Sequence, residues 1–324
     1  MSYKTAVNTN LYITEANPDG SLPAIPALQA MRQTGCTLEG SYETIQNDTK
    51  LPGRNPSKDF KGTDSCAGDY TANFAGHEFD KLLAAVLCSE DGFVKNTALS
   101  VDGLEVFDMI PGNKQRIYAM LKEYTQEPKL YQLFKGLQVN TLKIAFEINE
   151  LVKLTFGLMG ANNPELEDAP PVNMTNKLPT FTTEEFTTLE GAWKFKGSDD
   201  AVPDEHIAGV SITLDITNNM QNLQGLFQKE AIEKSLGMLD ITGTINEYVK
   251  DGKLYNLAKQ GKGGELHITV LSERSCVEYE FIMNISFDNS TLSGDPQLQY
   301  ALPFKTFGEE RFLLRKKVTV EEGE

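Results

Sequence analysis

Histidine is the side chain that most often acts as a general base or metal ligand near neutral pH, and this chain contains three. His77 precedes a helical pattern, His206 ends a proline-containing acidic segment, and His267 lies on the polar side of a predicted strand. None has a second histidine at a ligand spacing, and the dipeptide His77-Glu78 lacks the later histidine of a zinc-protease helix. The histidines therefore predict neither a metal site nor a catalytic base.

Three other groups of residues could bind an ion or a phosphate. Gly261-Lys-Gly-Gly264 follows a helical pattern instead of opening one, so it offers no helix N-terminus to a phosphate. The acidic pairs Asp199-Asp200 and Asp204-Glu205 lack the spaced oxygen ligands of a calcium loop, and the four cysteines lack a CxxC spacing. We therefore expect a protein that is not an enzyme and that needs no metal and no cofactor.

The net charge argues against further classes of function. The chain has 46 acidic and 30 basic residues and a formal charge of -16, which opposes nucleic-acid binding by phosphate neutralisation and disfavours anionic membranes. No window approaches the ~18 apolar residues of a membrane span, and the first residues lack the pattern of a signal peptide. We therefore expect a protein without a membrane partner that folds in the cytoplasm with reduced cysteines.

Period-two alternation is the dominant pattern of the chain, and it predicts strands that are buried on one face. Residues 210–217 alternate between apolar and polar side chains without exception, and residues 141–148 and 277–287 do so over similar lengths. Helical spacing is convincing in only two segments, residues 79–86 and residues 254–258. The sequence therefore predicts a mainly β fold with two helices.

The two helical segments belong to units that can be superposed. A shift of 175 residues (254 minus 79) places Phe79 on Leu254, and a shift of 148 residues (279 minus 131) places Tyr131 on Tyr279. The order of segments is the same in both halves, which favours a duplication over chance matches between alternating strands. We divide the chain into an irregular N-terminal arm (1–36), a first domain (37–160), a linker (161–190), a second domain (191–316) and an acidic C-terminal tail (317–324).

One basic run stands out in this acidic chain. It lies in the polar loop 47–62 and consists of Lys50, Arg54, Lys58 and Lys61. A solvated loop is its simplest interpretation. In a protein that binds copies of itself, such a loop would attract the acidic surface of a neighbour and set the register between subunits.

Several segments carry a resemblance to a known family. They are Gly68–Leu87, Tyr131–Phe146 with its continuation Leu151–Gly160, and, in the second half, Val210–Asn219 and Ile241–Leu257. In this order they resemble the tail tube proteins of long, non-contractile-tailed bacteriophages, in the subfamily with two repeats. The similarity covers most of the chain and leaves out the N-terminal arm and the acidic tail.

The resemblance implies two tandem tail-tube-type β-sandwich or half-barrel domains, each with one α-helix. Three such chains would form a ring that imitates six-fold symmetry, and stacked rings would form a conduit for DNA ejection in the virion tail. The implied partners are other copies of the chain, the tail tape-measure, tail-tip and terminator proteins, and DNA in transit without specific binding. Before assembly the subunit would be in the host cytoplasm.

An acidic lumen would let DNA slide, because carboxylates repel phosphate and release no counterions. We expect lumen-facing acids on the polar faces of strands, and the candidates are Glu147, Asp215, Glu247 and Glu278. Lys143 and Lys153 lie on similar faces, so the face that points inward stays open. Two long polar loops, 47–62 and 220–236, are expected to bridge adjacent rings.

The main alternative is a carbohydrate- or receptor-binding β-sandwich module of a phage tail or cell surface. Such a module would present exposed aromatic platforms. In this chain Trp193 is the only tryptophan, and most tyrosines and phenylalanines lie on apolar strand faces. A contractile-tail tube or a tail-end protein also stays open, because the same fold occurs there.

Overall fold

The structure, a computed structural model, describes residues 8–49, 57–174, 177–178, 183–197, 209–230, 233–249, 253–272, 274–293, 297–308 and 311–320. The described residues contain twenty-one strands and two helices, which confirms the mainly β fold. No helix in these ranges is long and apolar enough to span a membrane.

Each half of the described chain contains one helix, which strands precede and follow in the sequence. The first elements are β1 (Thr9–Glu15), β2 (Leu28–Met31), β3 (Gly35–Cys36), β4 (Glu39–Ile45), β5 (Phe60–Asn73), α1 (Asp80–Val86), β6 (Val94–Lys95), β7 (Leu104–Met109), β8 (Tyr118–Tyr124), β9 (Leu130–Glu147) and β10 (Lys153–Gly160). The later elements are β11 (Lys177–Leu178), β12 (Gly191–Gly197), β13 (Gly209–Thr217), β14 (Gln221–Leu223), β15 (Glu233–Ser235), β16 (Asp240–Tyr248), α2 (Lys253–Lys259), β17 (Gly263–Ser272), β18 (Val277–Phe287), β19 (Thr291–Ser293), β20 (Gln299–Thr306) and β21 (Phe312–Thr319).

One large antiparallel sheet runs through both halves. In its central part β5, β10, β9, β13, β16 and β20 each pair with the next. β4 extends this sheet beyond β5, and β18 extends it beyond β20. The alternation in the sequence decides the burial: Ile212, Leu214 and Ile216 of β13 are buried, and the residues between them are half-exposed.

Both helices lie where the apolar spacing predicts them. Leu82 and Leu83 of α1 and Leu254 and Leu257 of α2 are buried in the same apolar core that the strands of both halves share. Each helix follows a sheet strand and is only seven residues long, so packing against the sheet, more than helix propensity, holds it in place.

The N-terminal region is more regular than its composition predicts. β1 pairs along its whole length with β8 and also with β2, and its apolar residues 11–13 are buried. The expectation of an irregular arm over residues 1–36 is therefore wrong for these two strands. The residues that suggested an arm, such as Pro18 and Gly20, lie in the connection between β1 and β2.

The two halves share an order of pairings. In the first half β4 pairs with β5, β5 with β10 and β10 with β9, and α1 follows β5. In the second half β13 pairs with β16, β16 with β20 and β20 with β18, and α2 follows β16. The halves join where β9 pairs with β13, from Glu147 opposite Ser211 to Thr141 opposite Thr217.

Tyr279 of β18 is the centre of an aromatic cluster between the halves. Its buried ring lies 4.9 Å from the ring of Phe74 and 5.6 Å from that of Phe186. Its hydroxyl donates a hydrogen bond to Asp80 Oδ1 (2.6 Å) and accepts one from the His77 N–H (3.0 Å). Because Asp80 begins α1, this cluster fastens the first helix to a strand of the second half.

Candidate assembly surfaces

The central strands present one continuous polar face. The pairing register places side chains of five neighbouring strands in one row, which reads Thr71, Thr155, Lys143, Asp215 and Thr242. The next row reads Asn73, Lys153, Ala145, Thr213 and Thr244. Small polar side chains dominate both rows, and lysines occur beside the acid. The face is therefore polar and mixed in charge, not uniformly acidic.

Two of the four candidate lumen acids lie on this polar face. Asp215 is half-buried and faces Lys143 across the β9–β13 pair, and Glu147 is exposed at the end of β9. Glu278 lies on the polar side of β18, where its Oε1 is 2.7 Å from Lys317 Nζ. The structure thus places two of these acids on one face, four residues apart in the strand register, and places the third in an ion pair with another strand.

The expected position of Glu247 on the polar face is wrong. Glu247 is only 4% exposed and shares the buried face of β16 with Ile241 and Ile245. The reason is the two-residue period of a strand, because odd-numbered residues of β16 point into the core.

Charged residues of opposite sign alternate across β7, β21, β18 and β17. Arg315 donates two hydrogen bonds to Asp108, at 2.8 and 3.3 Å, and Glu280 lies 3.3 Å from Lys317 and 2.9 Å from His267. Burial alone would raise the pKa of both carboxyls. The hydrogen bonds from their basic partners outweigh that effect, and the pKa values of Asp108 and Glu280 lie below the ordinary 3.8 and 4.5.

Acid is expected to weaken the folded chain through these two carboxyls. A carboxyl whose pKa is lowered by folding adds stability above its unfolded pKa and loses it as the pH falls through the folded pKa. The melting temperature should therefore drop below about pH 4.5. Glu280→Gln should have a lower melting temperature than wild type at neutral pH. Its melting temperature should fall less than that of wild type on acidification.

Scanning calorimetry between about pH 7 and pH 3 measures both effects. Glu105→Gln is a matched control, because it removes only an exposed ion pair with Lys95. If acid lowers the melting temperature of Glu280→Gln as much as that of wild type, Glu280 does not contribute to the pH dependence of stability.

The structure describes only part of the predicted basic run. Lys50 and Arg54 lie outside the described residues. Lys58 is exposed, whereas Lys61 forms an ion pair with Asp64 (2.8 Å) and lies over the ring of Tyr42. Lys61 therefore helps to hold the hairpin β4–β5 together, and a role of the run between subunits stays a prediction.

The loop 220–236 contacts the two strands that flank the loop 47–62, at one end of the molecule. Gln224 Nε2, beyond β14, donates to Glu43 Oε1 of β4 (3.1 Å). The Asp64 N–H of β5 donates to the Lys229 carbonyl oxygen (2.7 Å). We call this end the tip and define it as residues 42–46, 60–64 and 224–230.

Large apolar side chains project from the tip. Ile45 and Phe60 face each other across β4 and β5 and are both exposed, and Leu226 and Phe227 are exposed in the turn between β14 and β15. Clusters of this kind mark binding surfaces. Sequence reasoning missed them, although the signal was present as an apolar pair, Leu226-Phe227, inside a polar loop.

Several strands have an edge with which no other described strand pairs, and β4 and β19 are two of them. β4 pairs only with β5, and β19 only with β20, among the strands that the structure describes. Most of β4 is exposed, so its outer N–H and C=O groups can accept a strand from another chain.

The side chains with potential chemistry are dispersed. In the described part of the chain no three His, Cys, Asp or Glu side chains are placed to hold a metal ion. His77 lies in the turn before α1 with a φ of 62°, and His206 lies outside the described residues. Burial raises the pKa of the Cys66 and Cys88 thiols to about 11, so neither is a thiolate at neutral pH.

Comparison with known proteins identifies the family of this chain. A comparison with curated proteins returns no match. The family model described as phage tail tube protein matches residues 4–305, which cover both halves and nearly the whole chain. This match confirms the resemblance carried by Gly68–Leu87 and Tyr131–Phe146. The chain therefore belongs to the phage tail tube protein family.

Proposed function

We propose that three copies of this chain close into a ring and that stacked rings form the conduit through which the phage genome leaves the virion. Membership of the family gives a structural role in the virion tail. The observation that carries the finer proposal is the pairing of β9 with β13, which joins two similar halves side by side in one sheet. The same kind of junction can be repeated between chains.

The shared order of pairings supports a duplicated fold with the boundaries 37–160 and 191–316. When the two halves are compared in this order, β4 of the first half corresponds to β13 of the second half. β13 has β16 on one side and β9 on the other, whereas β4 has only β5 among the described strands. The outer side of β4 is thus where a strand from another chain would complete the first repeat.

The complementary edge lies at the end of the second half. β20 pairs with the end of β18 and with β19, as β10 pairs with the C-terminal part of β9. We infer that β4 of one chain lies beside β19 of the next chain. Three chains would then give six repeats around the ring, and closure would remove the unpaired edges of β4 and β19.

We assign the polar face of the central strands to the lumen. Its threonines carry no charge, and Lys143 faces Asp215 instead of another lysine. Such a surface lacks the basic tract that would hold phosphates by counterion release. Asp215, Glu147 and, in its ion pair, Glu278 are the remaining candidates for lumen acids.

Asp215→Lys is expected to slow DNA ejection without preventing tube formation. The substitution would place two lysines opposite each other on the assigned lumen face, and each ring would gain three such pairs. Phosphate binding to these pairs should slow ejection several-fold, roughly, and most at low salt.

Triggered DNA release from phage particles that carry the substitution measures this effect. Asp215→Asn is the matched control, since it removes the acid without adding a cation. Ejection by Asp215→Lys particles at the wild-type rate in low salt would place Asp215 away from the DNA path.

Loops 47–62 and 220–236 are proposed to bridge adjacent rings, with Lys50, Arg54, Lys58 and Lys61 facing acidic surfaces of the next ring. A tube of this kind implies a tape-measure protein in the lumen and tail-tip and terminator proteins at the two ends. The subunit would wait in the host cytoplasm until assembly begins.

Negative-stain electron microscopy with light scattering on the purified protein tests the proposal. Rings or tubes with three-fold symmetry are the expected result. A protein that stays monomeric at high concentration and binds a glycan array would favour the carbohydrate-binding alternative.

A further inference from the structure

We propose that Leu226 and Phe227 of one chain insert into an apolar socket on a chain of the next ring. This contact rests on the proposed tube and names the surface that its stacking loop recognises. The partner is therefore a second copy of this chain.

The inserting residues are held in an unusual turn. The Gln228 N–H donates to the Gly225 carbonyl oxygen (3.3 Å), so Leu226 and Phe227 occupy the two central positions. Phe227 has a φ of 66° and is fully exposed, and Leu226 is 87% exposed. A positive φ at the second central position usually selects glycine or asparagine. A phenylalanine there serves neither the turn nor the core of its own chain, which points to a role in contact with another chain.

The socket is an apolar cavity of about 150 Å³ between the start of β13, the start of β12 and the middle of β17. Its apolar walls include Phe146, Ile148, Trp193, Ile212, Ile268 and Val270. A cavity of about this volume with similar walls accepts benzene in another protein, so a phenyl ring fits.

The tip and the socket lie at opposite ends of the subunit. The tip lies at the start of β5, near Phe60 and Asp64. The socket lies near the end of β5: the Phe74 N–H donates to the Val152 carbonyl oxygen just after the β9–β10 turn, and the socket residue Phe146 lies just before that turn. The 14 residues of β5 span on the order of 40 Å. A contact between unlike ends repeats from copy to copy, so it builds a stack that does not close on itself.

Charge favours the same pairing. Lys229 is exposed two residues after Phe227. Glu147 is the one charged residue among the described residues that line the socket, and the exposed Glu190 adjoins the lining residues Leu189 and Gly191. Lys229 can thus pair with Glu147 at the socket, which would help to orient the two copies.

Phe227→Gly separates a docking role from a role in the fold. Glycine relieves the left-handed strain, so the chain should melt at the wild-type temperature or above it. Tube formation should require a protein concentration at least about tenfold higher, because one buried aromatic ring is lost at each contact. Leu99→Ala, which removes another exposed apolar side chain, should leave tube formation unchanged.

Trp193 reports on the socket directly because it is the only tryptophan. Its emission should shift to shorter wavelength when wild-type rings stack, and Phe227→Gly should keep the emission of unstacked rings. A photoreactive benzoylphenylalanine at position 227 should crosslink, in tubes, to residues 146–149, 188–193 or 209–212 of another chain.

The outcomes separate this contact from the tube itself. Wild-type tubes together with Phe227→Gly rings that do not stack support the contact. Phe227→Gly tubes at the wild-type concentration, or crosslinks outside the socket, overturn the contact and leave the tube proposal standing. Failure of the wild-type chain to form rings or tubes overturns both.

Discussion

Tyr42→Pro is expected to abolish ring formation while the subunit remains folded. The Thr37 N–H donates to the Asp69 carbonyl oxygen, which fixes the alternation along the strand. The N–H groups of residues 39 and 41 therefore point toward β5, and those of residues 40 and 42 point toward the outer edge. Proline at position 42 removes an outward N–H and places its ring on that edge, which edge strands tolerate in a monomer. The weakening acts at each of three junctions, so ring formation should require at least about 100-fold more protein.

Analytical ultracentrifugation and circular dichroism measure assembly and folding separately. Tyr42→Ala is the matched control, because it removes the side chain that lies over Lys61 but keeps the N–H. Ser41→Pro is the contrasting variant, because its N–H faces β5 and its loss should destabilise the hairpin itself. Rings of normal size from folded Tyr42→Pro would show that β4 is not a ring contact.

Tyr279→Ala is expected to have the largest effect on the stability of the subunit. Its ring is fully buried between the halves, and its hydroxyl is hydrogen-bonded to Asp80 and to the His77 N–H. Removal of such a side chain should cost about 3–5 kcal/mol of the free energy of unfolding. Tyr279→Phe keeps the packing and leaves Asp80 with one partner fewer, so it should cost about 1–3 kcal/mol.

Denaturant unfolding of the unassembled subunit measures both values. Tyr255→Ala is a useful comparison, because that half-buried ring stacks on Tyr300 (5.1 Å) within the second half alone. It should cost less than Tyr279→Ala. A loss for Tyr279→Ala no greater than for Tyr255→Ala would mean that the cluster does not fasten the two halves together.

The sequence predicted the elements whose side chains alternate over many residues. β13 and β18 are such elements, and the seven-residue helices α1 and α2 lie in the two segments where apolar residues recur at helical spacing. Burial on one face imposes period two on a strand, and this signal is readable without any partner. The family resemblance rested on the order of the same elements.

Other features depend on contacts that the local pattern does not contain. β1 shows a short apolar run among prolines and glycines, and it becomes a strand because β8 and β2 pair with it on either side. Glu247 is a charged residue on a buried face, so its position follows from the strand period and not from its polarity. The exposed Phe227 follows from a turn conformation that is rare for this residue type.

The assembly surfaces were predictable only in part. The length and polarity of loops 47–62 and 220–236 marked them as projecting. The contacts of loop 220–236 with β4 and β5 join residues far apart in the sequence, and the local pattern does not contain them. The socket combines residues from β9, β12, β13 and β17, so no single segment of sequence contains its pattern.

Cryo-electron microscopy of the assembled protein tests the central claim most directly, because it counts the chains in each ring. The proposal expects three chains per ring, six similar repeats around the lumen, and β4 of one chain beside β19 of the next. Rings of six chains, or rings in which β4 contacts no neighbouring strand, would contradict it.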